Sequence, residues 1–316
     1  MESLAFSLNA TMPVFLLMVV GMVLRRLRVI DDVFAARMNS FVFHVSLPVL
    51  LFDDISSIDL RSDWNGPFVA FCFAVTLASI LAAVLFSLLL RDKADRGEFI
   101  QSAYRSSAAL LGVALMQNMY GTSDMAALMI VGAVPLYNVA AVAALAFTAP
   151  EGRKALDGRS AAVRALRGVV ANPIIIGIAA GFPFAALGAS LPPIASSLAE
   201  NIADLATPLG LMAMGAMFDV RRAAGKARAA AGASALKLVG FPVLFLPVAV
   251  AAGFRGEELA TILVMLGSST TVSCFVMARA MGHDGVLSST AVMVTTLGSA
   301  FTLTGFLFAL RSVGWV

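Results

Sequence analysis

TILVMLGSSTTVSCFVMARA, residues 261–280, decides how this chain is read. The stretch is apolar enough to lie in a lipid bilayer, yet Gly267-Ser268-Ser269-Thr270-Thr271 sits in its middle. A membrane-spanning helix needs about 20 apolar residues and must bond every backbone group internally. Five small polar residues in a row face lipid poorly. They mark either an interrupted helix, whose freed backbone groups must find partners in protein, ligand or ion, or a seam where helices pack closely.

The rest of the chain is of the same kind. Of its 316 residues, 60% belong to the AVILMFWYC set and 13% are charged, against about 45–50% and about 25% in soluble domains. This excludes a water-soluble enzyme, a disordered chain and a nucleic-acid binder. The apolar runs are continuous rather than alternating, which excludes an outer-membrane barrel. Cys72 and Cys274 lie within such runs and make neither a metal spacing nor a disulfide framework. Ten runs are long enough for membrane helices: 8–24, 35–52, 66–90, 101–120, 125–148, 168–187, 198–218, 229–253, 258–280 and 285–310. The first has no basic residues ahead of it and Arg25, Arg26 and Arg28 behind it, so it reads as a retained helix.

Loop charge orients these spans. The loops after spans one, three, five and seven hold sixteen of the 22 Lys and Arg residues, whereas those after even spans hold Arg61 and Arg255. The segment after span two is acidic, with Asp53, Asp54, Asp59 and Asp63. The positive-inside rule makes the odd loops cytoplasmic and, with ten spans, places both termini outside. Residues 151–167 form the longest polar break, between a first five-helix half (1–150) and a second (168–316). Five is odd, so the halves must be inverted relative to each other. HVSLPVLLF (44–52) and DLATPLGLM (204–212) carry Pro48 and Pro208 at corresponding places, and LMQNMYGTSDMAALMIV (115–131) parallels VMARAMGHDGVLSSTAV (276–292). The expected fold is therefore all-α and integral to the membrane, with ten helices in two inverted five-helix repeats and with helices 4 and 9 interrupted.

Inverted-repeat transporters bind substrate near the midplane, at interrupted helices. Candidate binding residues are Ser106, Ser107 and Gly112 in span four, and Ser269, Thr270, Thr271 and Ser273 in span nine. Asn138, in PLYN (135–138), brings an amide that can meet a carboxylate or pack between helices. Arg105 lies near a span end, where a long side chain snorkels to the interface. Lys237 lies about nine residues into span eight, could reach the interface or the interior, and is with His44 and Asp204 a candidate for proton or charge coupling. His44 and Asp204, each four residues before a proline, could together carry a proton or could each cross-link their own surroundings. GxxxxGK[ST], HExxH, GxSxG and TVGYG are all absent, which argues against an ATP-driven pump, an intramembrane metalloprotease, a serine hydrolase and a potassium channel.

FVFHVSLPVLLF (41–52), NPIIIGIAAGFPFAALGASLPP (172–193), ATPLGLMAMGAMF (206–218) and FVMARAMGHDGVLSSTAVMVTTLGSAFTL (275–303) together resemble the auxin efflux carrier family, which includes bacterial carboxylate carriers. The resemblance implies crossing fourth helices in the two repeats. It also implies elevator-like movement against a scaffold of helices 1, 2, 6 and 7, often the homodimer surface. The family's carboxylate-contacting asparagine of the fifth helix matches Asn138. Its fourth-helix asparagine falls on Ser107, and its crossover prolines fall near Ala114 and Cys274, so these features are absent here. Sodium–bile acid symporters share the fold, but their acidic sodium ligand has no match in 267–274.

The expected function is secondary-active or facilitative transport of small organic anions such as malonate or malate, in the cell inner membrane. The alternative is sodium-coupled symport of larger, bile-acid-like amphipathic acids. A membrane sensor and an intramembrane enzyme are the remaining classes, and no motif favours them. No cofactor or bound metal is expected, with sodium or proton coupling open. The expected partners are the anion, the bilayer and a second copy of the chain, and not nucleic acid.

Overall fold

The computed structural model describes residues 2–58, 64–107, 112–121, 123–148 and 170–316, with side chains from residue 12 onward. The linker 151–167 lies outside the described residues. Among these residues every regular element is a helix: α1 (Glu2–Arg26), α2 (Asp32–Phe41), α3 (Leu47–Ser56), α4 (Gly66–Ser87), α5 (Arg96–Tyr104), α6 (Val113–Tyr120), α7 (Asp124–Phe147), α8 (Pro173–Leu187), α9 (Pro193–Ala203), α10 (Ala206–Ala216), α11 (Val220–Ala235), α12 (Phe241–Ala251), α13 (Gly256–Gly267), α14 (Ser273–Ala280) and α15 (Val286–Ser312). Five continuous segments are long and apolar enough to cross a membrane: Asp32–Ser56, Gly66–Ser87, Asp124–Phe147, Val220–Ala251 and Val286–Ser312. The other apolar runs fall on α1, on α8, and on the jointed pairs α5/α6, α9/α10 and α13/α14.

Two of the long segments contain a π-helical turn, and proline accounts for both. Proline has no N–H to donate, and its ring strikes the carbonyl four residues back. Val42–Ser46 forms a π turn just ahead of Pro48, with the Leu47 N–H bonded to Val42 O. Leu236–Gly240 does the same ahead of Pro242, with the Phe241 N–H bonded to Leu236 O. The wider turn relieves the clash without ending the helix. In the second case it carries Lys237 to a fully buried position.

Glycines set the closest helix contacts. A Cβ on Gly177 of α8 would strike the backbone carbonyl of Pro48 on α3, and one on Gly181 would meet that of Phe52. A Cβ on Gly21 of α1 would strike the carbonyl of Met212 on α10, and one on Gly215 that of Met18. Small residues of this kind allow helix backbones to approach where lipid offers no hydrophobic drive. The pairs α3–α8 and α1–α10, joined by α2 and α9, form one group of helices. A second group packs α4, α5 and α7 together and α11, α12, α13 and α15 together, and α1 of the first group also packs along α15.

Ion pairs and hydrogen bonds show which loops meet. Lys226 Nζ lies 2.6 Å from Asp95 and 3.2 Å from Asp92, and Arg222 lies 2.9 Å from Asp284, so the segments after the third, seventh and ninth apolar runs meet at one end. Elsewhere, Asn65 Nδ2 donates to Glu258 Oε1 at 2.7 Å, and the Gly256 N–H donates to Trp315 O at 2.8 Å. These contacts join the segments after the second and eighth runs, and the latter to the chain's end.

Candidate functional site

Both candidate helices are interrupted. α5 ends at Tyr104, Arg105 is extended (φ −72°, ψ 134°), and among the described residues beyond it Gly112 is again helical and leads into α6. α13 ends at Gly267, Ser268 is extended (φ −71°, ψ 166°), and helix resumes at Ser273. Close packing of unbroken helices is thereby excluded for 267–271. Neither break needs a proline: Ala114 lies inside α6 and Cys274 inside α14.

The two breaks satisfy each other's backbone. The Ser107 N–H donates to Ser269 O at 2.9 Å, the Thr270 N–H donates to Thr295 Oγ1 at 2.9 Å, and Thr270 Oγ1 donates to Ser102 O at 2.8 Å. Helix C-termini leave carbonyls without intrahelical partners and carry the negative end of the helix dipole. Lys237 answers both requirements. Its ammonium donates to Tyr104 O, near the end of α5 (3.3 Å), to Met265 O, near the end of α13 (3.1 Å), and to Ser106 Oγ. Ser106 Oγ in turn donates to Met265 O, and Tyr137 Oη reaches the same carbonyl at 3.4 Å. Lys237 therefore goes to the interior, where it serves as a clamp on the two half-helix C-termini.

Arg105 overturns the expectation of snorkelling. It is 3% exposed, because the chain leaves the helix at this residue and turns the side chain inward. Its Nη2 donates to Asn138 Oδ1 and to Ser273 Oγ, both at 2.9 Å; Nη1 donates to Met277 Sδ at 2.8 Å and reaches Gln101 Oε1 at 3.5 Å. Nε has no partner, and among the described residues no carboxylate pairs with this cation. A buried charge held only by neutral groups is costly and is relieved by an anion.

A cavity of about 700 Å³ opens at this point. Arg105, Ser106, Ser107, Asn138, Thr271 and Ser273 line it from the breaks and α7, and Asp54, Asp204 and Thr207 line it from α3, the α9–α10 joint and α10. Leu47, Leu50, Val134 and Ile174 supply apolar wall. Of the sequence candidates, Asn138, Ser106, Ser107, Thr271, Ser273 and Asp204 thus reach the cavity. Ser269, Thr270 and Lys237 hold the crossing beneath it, and Gly112 is buried where a Cβ would lie 3.1 Å from Met129 Cε.

His44 and Asp204 do not form a pair. The His44 ring is exposed and bonds Ser40 one turn back on its own helix, at 2.9 Å to Ser40 O. Asn138 also differs from expectation in detail. Its Oδ1 accepts from Arg105 and its Nδ2 donates to Val134 O at 2.9 Å, so it aims the arginine and has one amide hydrogen left for a ligand. Arg105, Tyr137 and Asp54 were not among the candidates. Only the position of Arg105 beside a serine pair pointed its way.

The family model described as "Membrane transport protein" matches residues 6–307. The chain belongs to this family of membrane transporters, the auxin efflux carriers. Among curated proteins it is similar to one of Rhizobium meliloti (strain 1021) named "Putative malonate transporter", with 25% identity over 287 positions covering 87% of each chain. The comparisons lend no support to the bile-acid-like alternative.

Proposed function

We propose that this protein carries small organic anions across the membrane, with one substrate carboxylate seated on Arg105. The buried, acid-free guanidinium facing the cavity carries this reading. The hydroxyls of Ser273 and Ser107 and the uncommitted hydrogen of Asn138 supply further polar contacts, and the N-terminal ends of α6 and α14 lie at the same place. The relative's name favours malonate or a related carboxylate. The membrane arrangement we propose is ten spans in two inverted halves, with both termini outside the cell inner membrane. The matched glycine seams, the matched breaks and the meeting of the loops after the third, seventh and ninth runs support it. The α1, α2, α3, α8, α9 and α10 group is proposed as scaffold and homodimer surface, and the second group as the moving part of an elevator. Sodium or proton coupling would be a property of this movement.

Counterflow in proteoliposomes tests the reading. Vesicles loaded with unlabelled malonate should accumulate labelled malonate from outside, and the sodium-free and sodium-containing arms assign the coupling. An absence of accumulation for malonate, malate and monocarboxylates alike would remove the anion assignment.

A further inference from the structure

The cavity is lined by charges of both signs: Arg105 from the end of α5, and Asp54 and Asp204 from α3 and the α9–α10 joint. Asp54 lies on the last two turns of α3, a helix that runs on to Ser56. Among the described residues no hydrogen bond reaches its carboxylate. Asp53 on the same helix adds negative charge beside it, Glu200 and Asp204 in turn lie near Asp53, and Asp204 lines the same cavity. α8, which packs along α3, brings no charged residue, α7 brings Tyr137, and His44 on the preceding turn is bonded to Ser40. Arg105 is the cation that shares the cavity.

A ligand filling this cavity meets the donors of Arg105 and the carboxylate acceptor of Asp54. A dianion would set its second carboxylate against Asp54 and its acidic neighbours, where like charges repel in a partly dry site. A hydroxyl or a protonated carboxyl would donate to Asp54 instead. We infer that Asp54 is a specificity-determining residue that restricts transport to singly charged carboxylates bearing a hydrogen-bond donor at the far end. This rests on the anion-carrier reading and adds to it the charge state carried: hydrogen malonate rather than malonate dianion, or a hydroxycarboxylate.

The test compares three probes as competitors of labelled malonate uptake at about pH 6 and about pH 8. Malonate loses nearly all of its remaining monoanion over this range. 3-Hydroxypropionate keeps one charge and a donor, and 3-methoxypropionate keeps one charge and lacks the donor. In the native protein, malonate should weaken at least about tenfold on going to the higher pH, 3-hydroxypropionate should hold its strength, and 3-methoxypropionate should be poor at both. Asp54→Asn, whose amide both donates and accepts, should admit the dianion, so that malonate recovers about tenfold at the higher pH while 3-hydroxypropionate is little changed. Asp54→Leu should abolish the advantage of the hydroxyl over the methoxy probe. An unchanged probe ranking and pH profile in both variants would overturn the assignment of Asp54 while leaving the carrier reading intact. Native protein that moves no carboxylate at either pH would overturn both.

Discussion

Arg105 and Asn138 meet across the cavity wall at 2.9 Å, guanidinium to amide carbonyl, with Ser273 Oγ at the same distance on the same nitrogen. The cation is thus oriented without being neutralised. This geometry predicts that Arg105→Gln lowers transport by about 10- to 100-fold, since a charge-assisted hydrogen bond contributes about 1.5–3 kcal/mol. Arg105→Lys should recover only part, because a single ammonium keeps the charge but lacks the planar fork that meets Asn138 and Ser273 from one nitrogen and a carboxylate in two-point fashion. Initial uptake rates, read beside thermal unfolding in detergent, check this. Full activity in Arg105→Gln would remove the anion seat.

Asn138 offers a sharper contrast. Asn138→Asp keeps the shape and the acceptor but supplies the carboxylate that Arg105 lacks. It should silence anion uptake by neutralising the site while leaving the unfolding temperature equal to or above the native value. Asn138→Ala should lose uptake less completely, with the arginine still charged but free to swing. If Asn138→Asp transported like the native protein, Arg105 would not be the anion's partner.

How much of this could be read in advance depended on which physical signal each part left in the sequence. The breaks were legible because Gly267–Thr271 puts five small polar residues where lipid demands apolar ones. Asn138 was legible because an amide inside an apolar span needs a partner. Arg105 was not: an arginine near a span end snorkels if the helix continues, and only the turn at residue 105 sends it inward. Asp54 was hidden by a boundary. It reads as the start of an acidic loop, but α3 continues to Ser56 and brings it to the cavity wall. The inward direction of Lys237 depends on a π turn induced by Pro242, a register change that residue spacing alone does not show.

Lys237 is the crossing's clamp, so its removal should be felt first in stability. Lys237→Met removes the ammonium from the Tyr104 carbonyl and takes one of several donors from the Met265 carbonyl, at the negative ends of α5 and α13. An unsatisfied buried group costs about 1–3 kcal/mol. Some of this is offset because burying the ammonium was itself expensive, so a net loss of about 1–3 kcal/mol is expected, with a lower unfolding temperature in detergent. Lys237→Gln, which keeps a donor, should lose less. Equal stability of Lys237→Met and the native protein would mean that the two C-termini do not need the ammonium.

The glycine seams predict opposite outcomes for the same substitution at two sites. Gly177→Ala drives a methyl into the carbonyl of Pro48, a backbone atom that can yield only if α3 and α8 move apart. Overpacking of this kind costs about 1–3 kcal/mol. Gly225, on the exposed face of α11, has nothing within 4 Å of the place a Cβ would take. There the methyl only restricts the unfolded chain, and Gly225→Ala should stabilise by about 0.5–1 kcal/mol. Unfolding temperatures measured side by side in one detergent decide it: Gly177→Ala below the native value, Gly225→Ala at or above it. If Gly177→Ala were as stable as the native protein, the contact between α3 and α8 would be looser than the geometry requires.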